Sequence, residues 1–287
     1  MPQLPYISHP HWFLASVPVQ RLGEAICSQK LREIKRDGPD LVLASDSLVI
    51  KVRVPVGIID RLRTRFGRGR LARQAAGAAT LGSLRVVTAE VLGHGTGILG
   101  GSQCELLVMQ RLPGVSLLAI MQDPRTPTDT EHAVADALGR QIAQMTMAGW
   151  FNRDHKPSNL IVQMSDDGTF VIAIIDTVDI LPIKPRHKFL PAAVRMLASL
   201  ILEPTGCNCP PRLTLRRRVL LAMHRELWTL QAASGVITDE PSGAADVDTL
   251  DAEWESQSTR AVWNMTRGSV AAHLKKHGSA TPRVLPR

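Results

Sequence analysis

The chain has 287 residues, 44% of them hydrophobic and 21% charged, which excludes a disordered protein and leaves ample core for one large domain or two lobes. Its formal net charge of +8 favours an anionic partner: a nucleotide, a nucleic acid, an anionic lipid or a phosphorylated sugar. Four cysteines, Cys27, Cys104, Cys207 and Cys209, are too few and too scattered for a secreted disulfide scaffold, and no apolar span of about 18 residues offers a transmembrane helix.

The opening MPQLPYISHPHWFLASVPVQ lacks a basic leading region, and proline breaks its apolar run, so it does not read as a signal peptide. The expected location is the cytoplasm, with peripheral contact to the inner membrane as the membrane-associated variant. Val19, Leu22, Ile26 and Ile34 predict a helix over 17–36, stopped by RDGPD, so residues 1–37 read as a helical extension. In LVLASDSLVIKVRVPV, residues 41–56, two β-rich runs flank Ala44-Ser45-Asp46-Ser47 and predict a hairpin, with Lys51 late in its second strand. The Ala- and Arg-rich residues 68–82 suit a helix. VVTAEVLGHGTGILGGSQCELLVMQRLPG then gives a strand, a Gly-rich turn, a strand and a break. Residues 38–112 therefore read as a β-rich lobe.

Past the break the periodicity changes. Thr128-x-x-Glu131 matches a capping box, and Val134, Leu138, Ile142 and Met145 follow at helical spacing up to Gly149. GWFNRDHKPSNLIVQM comes next. A second hairpin follows, LIVQM and TFVIAIID around the turn SDDG, and then apolar helices at 188–203 and 213–233. Residues 113–233 read as a helical lobe. The Ser-, Gly- and Ala-rich residues 234–287 read as a loose, partly flexible extension with room for one helix near 249–266. The fold class is α+β, with a small β-rich lobe and a larger helical one.

Five side chains form a chemical pattern: Lys51 on a strand, Asp154, Lys156 and Asn159 in one loop, and Asp176 at the end of the second hairpin. Phosphoryl transfer from a nucleotide needs a lysine for the α/β-phosphates, an acid for the acceptor hydroxyl, and oxygen donors for Mg²⁺. A loop Asp and Asn at i and i+5 can face one cleft, and a hairpin of this length returns the chain so that Asp176 meets Asn159 at the metal.

RDHKPSNLIV and the later IID resemble the catalytic loop and metal-binding segment of the protein kinase-like superfamily. Within it the chain is most similar to the bacterial lipopolysaccharide kinases, which phosphorylate core heptose or Kdo sugars. RGRLARQAAGAATLGSLRVVTAEVLGHG is similar to that family's basic helix and following segment, and ELLVMQRLPG to its strand and hinge. The resemblance covers about residues 38–230 and implies that 38–112 is the nucleotide-binding lobe and 113–233 the catalytic one. It implies Asp154 as catalytic base, Lys156 as an aid to transfer, and Asn159 and Asp176 as magnesium ligands. Lys51 would hold the ATP phosphates, and Gln110, Arg111 and Leu112 would flank adenine through backbone atoms. The implied cofactors are ATP and Mg²⁺, with a sugar or glycolipid acceptor.

The chain departs from the pattern in four places. Asn152 stands where kinases usually carry His. RDGPDLVLASDSLVIK offers one glycine in place of a glycine-rich loop. Gln74 stands where the strand lysine would meet a glutamate; an amide can hydrogen-bond Lys51 but cannot pair its charge. Thr-Val-Asp follows Asp176. A pseudokinase binding or scaffold module, and a kinase acting on a protein or small molecule, stand as alternatives.

Arg61, Arg63, Arg65, Arg68, Arg70 and Arg73 form a basic stretch, either a solvated helix face or a dock for an anionic glycolipid or membrane surface. Nucleic acid ranks third, because aromatic residues make up 4% of the chain and do not interleave with the arginines. His9, His11 and His94 read as surface or turn residues. CNCP, residues 207–210, reads as a loop with reduced thiols rather than a metal site.

Overall fold

A computed structural model describes residues 7–15, 24, 26, 28, 30–183, 189–233 and 247–277. Two compact units make up the chain: Met1–Pro113 with Ile174–Asp179, and Gly114–Ala173 with Ile180–Arg287.

The first unit is built on a six-stranded sheet. Its strands are β1 (Ile7–Ala15), β2 (Arg32–Asp37), β3 (Asp40–Ala44), β4 (Leu48–Arg53), β5 (Val91–Leu99) and β6 (Ser102–Gln110). They run in the order β1-β5-β6-β4-β3-β2, every neighbouring pair antiparallel. Two helices, α1 (Ile58–Arg65) and α2 (Arg70–Ser83), lie between β4 and β5. Period-two alternation divides β4 cleanly. Leu48, Ile50 and Val52 enter one core with Leu41, Leu43 and Leu106. Val49 faces the other core, where Leu71 and Ala75 of α2 pack on Leu107 and Met109. Lys51 shares the parity of Val49, so the strand aims it at the α2 side.

The 41–56 hairpin and the helix near 68–82 both form. The helix expected over 17–36 does not hold at its end. Residues 32–37 are edge strand β2, where Ile34 is 55% exposed and serves no core. The helical extension expected over 1–37 likewise contains strand β1. Glu24 and Ile26 are helical, and Ile26 is buried in the sheet core; residues 17–23 lie outside those described. The expected Gly-rich turn is mostly strand. Only Gly100 and Gly101 turn, while Gly93, Gly95 and Gly97 run within β5. β1 explains this, because a Cβ on Gly95 would lie 2.3 Å from the carbonyl oxygen of His11. Glycine admits the neighbouring backbone there.

In the second unit, β7 (Val115–Ser116), β9 (Leu160–Met164) and β10 (Phe170–Ile174) form one small sheet, and β8 (Trp150–Asn152) with β11 (Ile180–Pro182) another. The helices are α3 (Leu117–Gln122), α4 (Thr128–Met147), α5 (Phe189–Gly206), α6 (Leu213–Ala233) and α7 (Val247–His277). α4 packs on α6 and α5, and α7 packs on α5 and α6. Arg218 of α6 clamps Asp136 of α4 through two bonds of 2.9 and 2.7 Å. The capping box does not form: Thr128 is already the first helical residue, Pro127 precedes it, and no side chain caps the end. Asp129 and Glu131 instead place negative charge in the first turn, where the helix dipole favours it. Within the expected loose tail, α7 runs for 31 residues and buries Val262 and Thr266 to 1% exposure. An apolar cavity sits among these helices, walled by Leu117, Val134, Leu138, Leu197, Val219 and Trp263.

Candidate active site

In the first unit, the ammonium of Lys51 donates to Oε1 of Gln74 at 3.0 Å. Gln74 is 1% exposed, and its Nε2 donates to the carbonyl of Ile175 at 3.1 Å. Those partners fix which end of the amide is which, since an ammonium only donates and a carbonyl only accepts. Burial pushes the Lys51 pKa below its ordinary value; the Asp176 carboxylate opposes that shift and Arg70 adds to it.

Asp176 follows β10 on a segment stitched to the first unit at several points. Ile174 N–H donates to Val87 O at 3.0 Å, Thr88 Oγ1 to Ile174 O at 2.7 Å, and Thr177 Oγ1 to Gln74 O at 2.6 Å. Helix α2 comes so close that a Cβ on Gly77 would lie 2.0 Å from the Thr177 carbonyl oxygen. The start of α2 is held by a residue that sequence reasoning missed. Glu105 of β6, 1% exposed, accepts from Ala72 N–H at 2.7 Å and lies 3.1 Å from Nε2 of His94. It caps a helix whose own N-cap, Gly69, has no side chain to offer. A lone acid inside the apolar run CELLVMQ is the signal for it. His94, expected at a surface or turn, is buried in β5; His11 is exposed, and the side chain of His9 lies outside the described residues.

Gln110, Arg111 and Leu112 close β6 and leave it. Gln110 N–H donates to Glu90 O at 2.9 Å and Arg111 N–H to Ser47 O at 2.7 Å, while the Arg111 guanidinium donates to Ser45 O at 2.7 Å. Leu112 packs on the core beside Met109. Between β2 and β3 the turn is two residues, Gly38 and Pro39, closed by the pair Asp37 and Asp40.

In the second unit, the loop after β8 carries the other three residues. Lys156 Nζ lies 3.1 Å from Oδ2 of Asp154. Asn159 sits in a 3-10 turn, Pro157–Asn159, and its Nδ2 donates to Oδ2 of Asp154 at 3.0 Å and to its carbonyl at 3.2 Å. With Nδ2 so engaged, the oxygen of Asn159 is its remaining polar group. An amide oxygen is a hard donor, the kind magnesium takes alongside phosphate and water. Among the described residues no group of three or more His, Cys, Asp or Glu is arranged to hold a metal.

The loop is braced from beneath. Asn152, fully buried, accepts from Asp154 N–H at 3.0 Å, so the residue standing in place of His serves as a turn brace. Glu203 of α5 accepts from Ser158 N–H at 2.7 Å and Ser158 Oγ at 2.6 Å. It too was missed, and it too is a lone acid, the single one in FLPAAVRMLASLILEPTG. His155 is fully buried; burial pulls its pKa down to about 4, and neither ring nitrogen has a hydrogen-bond partner among the described residues.

No protein-family model and no curated protein matches the sequence. Solved structures do match by shape. WaaP in complex with acyl carrier protein aligns at TM-score 0.51 and 17% identity, over 87% of this chain and 98% of that one. Looser likenesses are WbdD with the kinase inhibitor LY294002, at TM-score 0.40, 16% identity and 78% and 49% of the two chains, and vaccinia related kinase 3, at 0.41, 14% and 74% and 88%. The match to WaaP shows that this chain shares its fold, here an α+β fold with a β-rich first unit and a mainly helical second unit.

Proposed function

We propose that the chain is a Mg-ATP-dependent phosphotransferase that moves the γ-phosphate to a hydroxyl of a lipopolysaccharide-type or other sugar acceptor. The observation that carries this is the bracing of Asp154 by Lys156 and Asn159 within RDHKPSN. Asp154 orients the acceptor hydroxyl and takes its proton as the acceptor oxygen bonds to the γ-phosphorus and the bond to ADP breaks. Lys156 offsets the negative charge on the transferring group. Lys51 holds the α/β-phosphates, and their charge opposes the burial that depresses its own. Asn159 and Asp176 would hold magnesium, which when bound neutralises phosphate oxygens. Gln110, Arg111 and Leu112 flank the adenine; the first two N–H groups are already bonded within the unit, so the Leu112 N–H is the donor of the three that is left.

The test is ATP consumption against sugars, glycolipids and proteins, with Asp154→Ala as the variant. The expected result is turnover on a sugar or glycolipid that falls about 10³-fold in the variant while its thermal unfolding is unchanged. Full activity in Asp154→Ala would sink the assignment. Nucleotide binding that ignores magnesium, with no turnover on any acceptor, would make the chain a binding module instead. A second ligand has its own observation. WaaP was solved with an acyl carrier protein, and the apolar cavity in the second unit here suits an acyl chain, which a binding titration with acylated and unacylated carrier would test.

A further inference from the structure

Helix α1, IIDRLRTR, is amphipathic the wrong way round for a globular protein. At about 100° per residue, Ile58, Ile59, Leu62 and Phe66 fall within an arc of about 100°, and Thr64 lies nearly opposite its middle. Thr64 is the one buried residue of the helix, at 2% exposure. The helix therefore meets its own unit through Thr64 and turns the apolar stripe outward. Ile58 is 76% exposed, Ile59 68%, Leu62 50% and Phe66 69%, with Val56 at 66% just before the helix. A core-facing helix does the reverse.

The charges are arranged to match. Asp60, on the inner side, is tied down by Val56 N–H at 3.0 Å and Arg53 at 3.6 Å. Arg63 and Arg65 fall on the two flanks of the stripe, roughly 70–90° from its middle. They and Arg61 and Arg68 are exposed, and none has a carboxylate partner among the described residues. The surface is thus a convex aliphatic ridge between unpaired guanidinium groups. A second copy would set arginines against arginines. A nucleic acid would find one aromatic ring to stack on. A bilayer with anionic headgroups satisfies both parts: the ridge enters the acyl boundary and the arginines snorkel to lipid phosphates. No helix among the described residues is long and apolar enough to cross a membrane.

We propose that α1, with Val56 and Phe66, is an interfacial helix that seats the chain on an anionic lipid bilayer. This goes beyond the phosphotransfer reading and does not depend on it. The test is flotation of the full chain, without nucleotide, on vesicles of phosphatidylcholine alone or mixed with phosphatidylglycerol. The chain is expected to float with the mixed vesicles and to be released by salt. Ile59→Ser with Phe66→Ser should weaken binding about tenfold or more. Arg63→Gln with Arg65→Gln should remove the preference for phosphatidylglycerol. All four side chains are exposed, so both variants should unfold at the parent temperature. A parent chain that stays unbound, or variants that float equally well, would overturn the proposal. So would a dimer in light scattering that the Ser variants split while vesicles are ignored, since the ridge would then belong to a second copy.

Discussion

In the Asp154 loop the polar groups are matched at close range: Lys156 lies 3.1 Å from the Asp154 carboxylate, and Ser158 gives two hydrogen bonds to Glu203. At Lys51 the partner is an amide, 3.0 Å away and carrying no charge. The difference matters because an ion pair still attracts when its members drift apart, whereas a hydrogen bond to an amide acts only at contact. Lys51 is therefore as well placed as helix α2 is. That helix is located by backbone and cap contacts: Glu105 on Ala72 N–H, Thr177 on the Gln74 carbonyl, and the approach at Gly77. The Asp154 loop is braced by charge and Lys51 by fit.

The sharpest way to break this comparison is Gly77→Ala. The new Cβ would meet a backbone oxygen at 2.0 Å, and backbone on both sides gives way poorly. We expect a loss of about 3 kcal/mol in urea denaturation, with the Lys51–Gln74 contact and phosphate transfer weakened together. An unchanged unfolding midpoint would mean that α2 is not located by that approach. Glu203→Ala probes the other half. It leaves the Ser158 N–H and hydroxyl without their acceptor and should cost about 2 kcal/mol. Because Lys51 is untouched, kcat should fall while KM for ATP holds; a rise in KM alone would tie the brace to nucleotide rather than to the loop.

Beneath the loop charges lies a buried interior, and His155 makes it titratable. Its folded pKa is about 4 against an ordinary 6.5. Between those values the unfolded chain binds a proton that the folded chain refuses, so stability rises with pH across the window and is lost as pH falls through it. The loss is about 3 kcal/mol, complete below pH 4 and absent above pH 7. His155→Leu should remove this slope from the stability profile while matching the parent at pH 8. A variant with the same acid lability would show that other groups cause it.

Much of the fold was legible because its signals are local. β-rich runs around a polar turn marked β3 and β4, helical spacing marked α4, α5 and α6, and SDDG marked the turn between β9 and β10. What failed was decided at a distance. Ile34 looked like a helix position because apolarity alone does not distinguish a core face from an exposed edge. The glycines of β5 looked like a turn because the strand that needs them, β1, lies some eighty residues earlier in the chain. The outward stripe of α1 has the same pattern as a buried one, and only the burial of Thr64 gives its direction. The residues of the candidate site stood out by motif, and so did Gln74 by its place in α2. Their supports did not, because Glu105 and Glu203 are recognised as braces only once Ala72 and Ser158 are seen against them.

Gln74→Glu has the smallest expected effect and refines the comparison most. By resemblance a glutamate belongs here, and it would pair the charge of Lys51 and raise its pKa back toward the ordinary value. It would also lose the donor that the amide gives to Ile175 O at 3.1 Å and to Met109 Sδ at 3.6 Å. A carboxylate oxygen would then face a carbonyl oxygen at a site 1% exposed. The loss slightly exceeds the gain, so the net is expected to be a loss of about 1 kcal/mol at pH 8 in chemical denaturation. If the variant is instead more stable and more active, the amide is a weakened acid and the fit of α2 is secondary. If it is less stable, Gln74 is there for its two ends, one for Lys51 and one for the segment that carries Asp176.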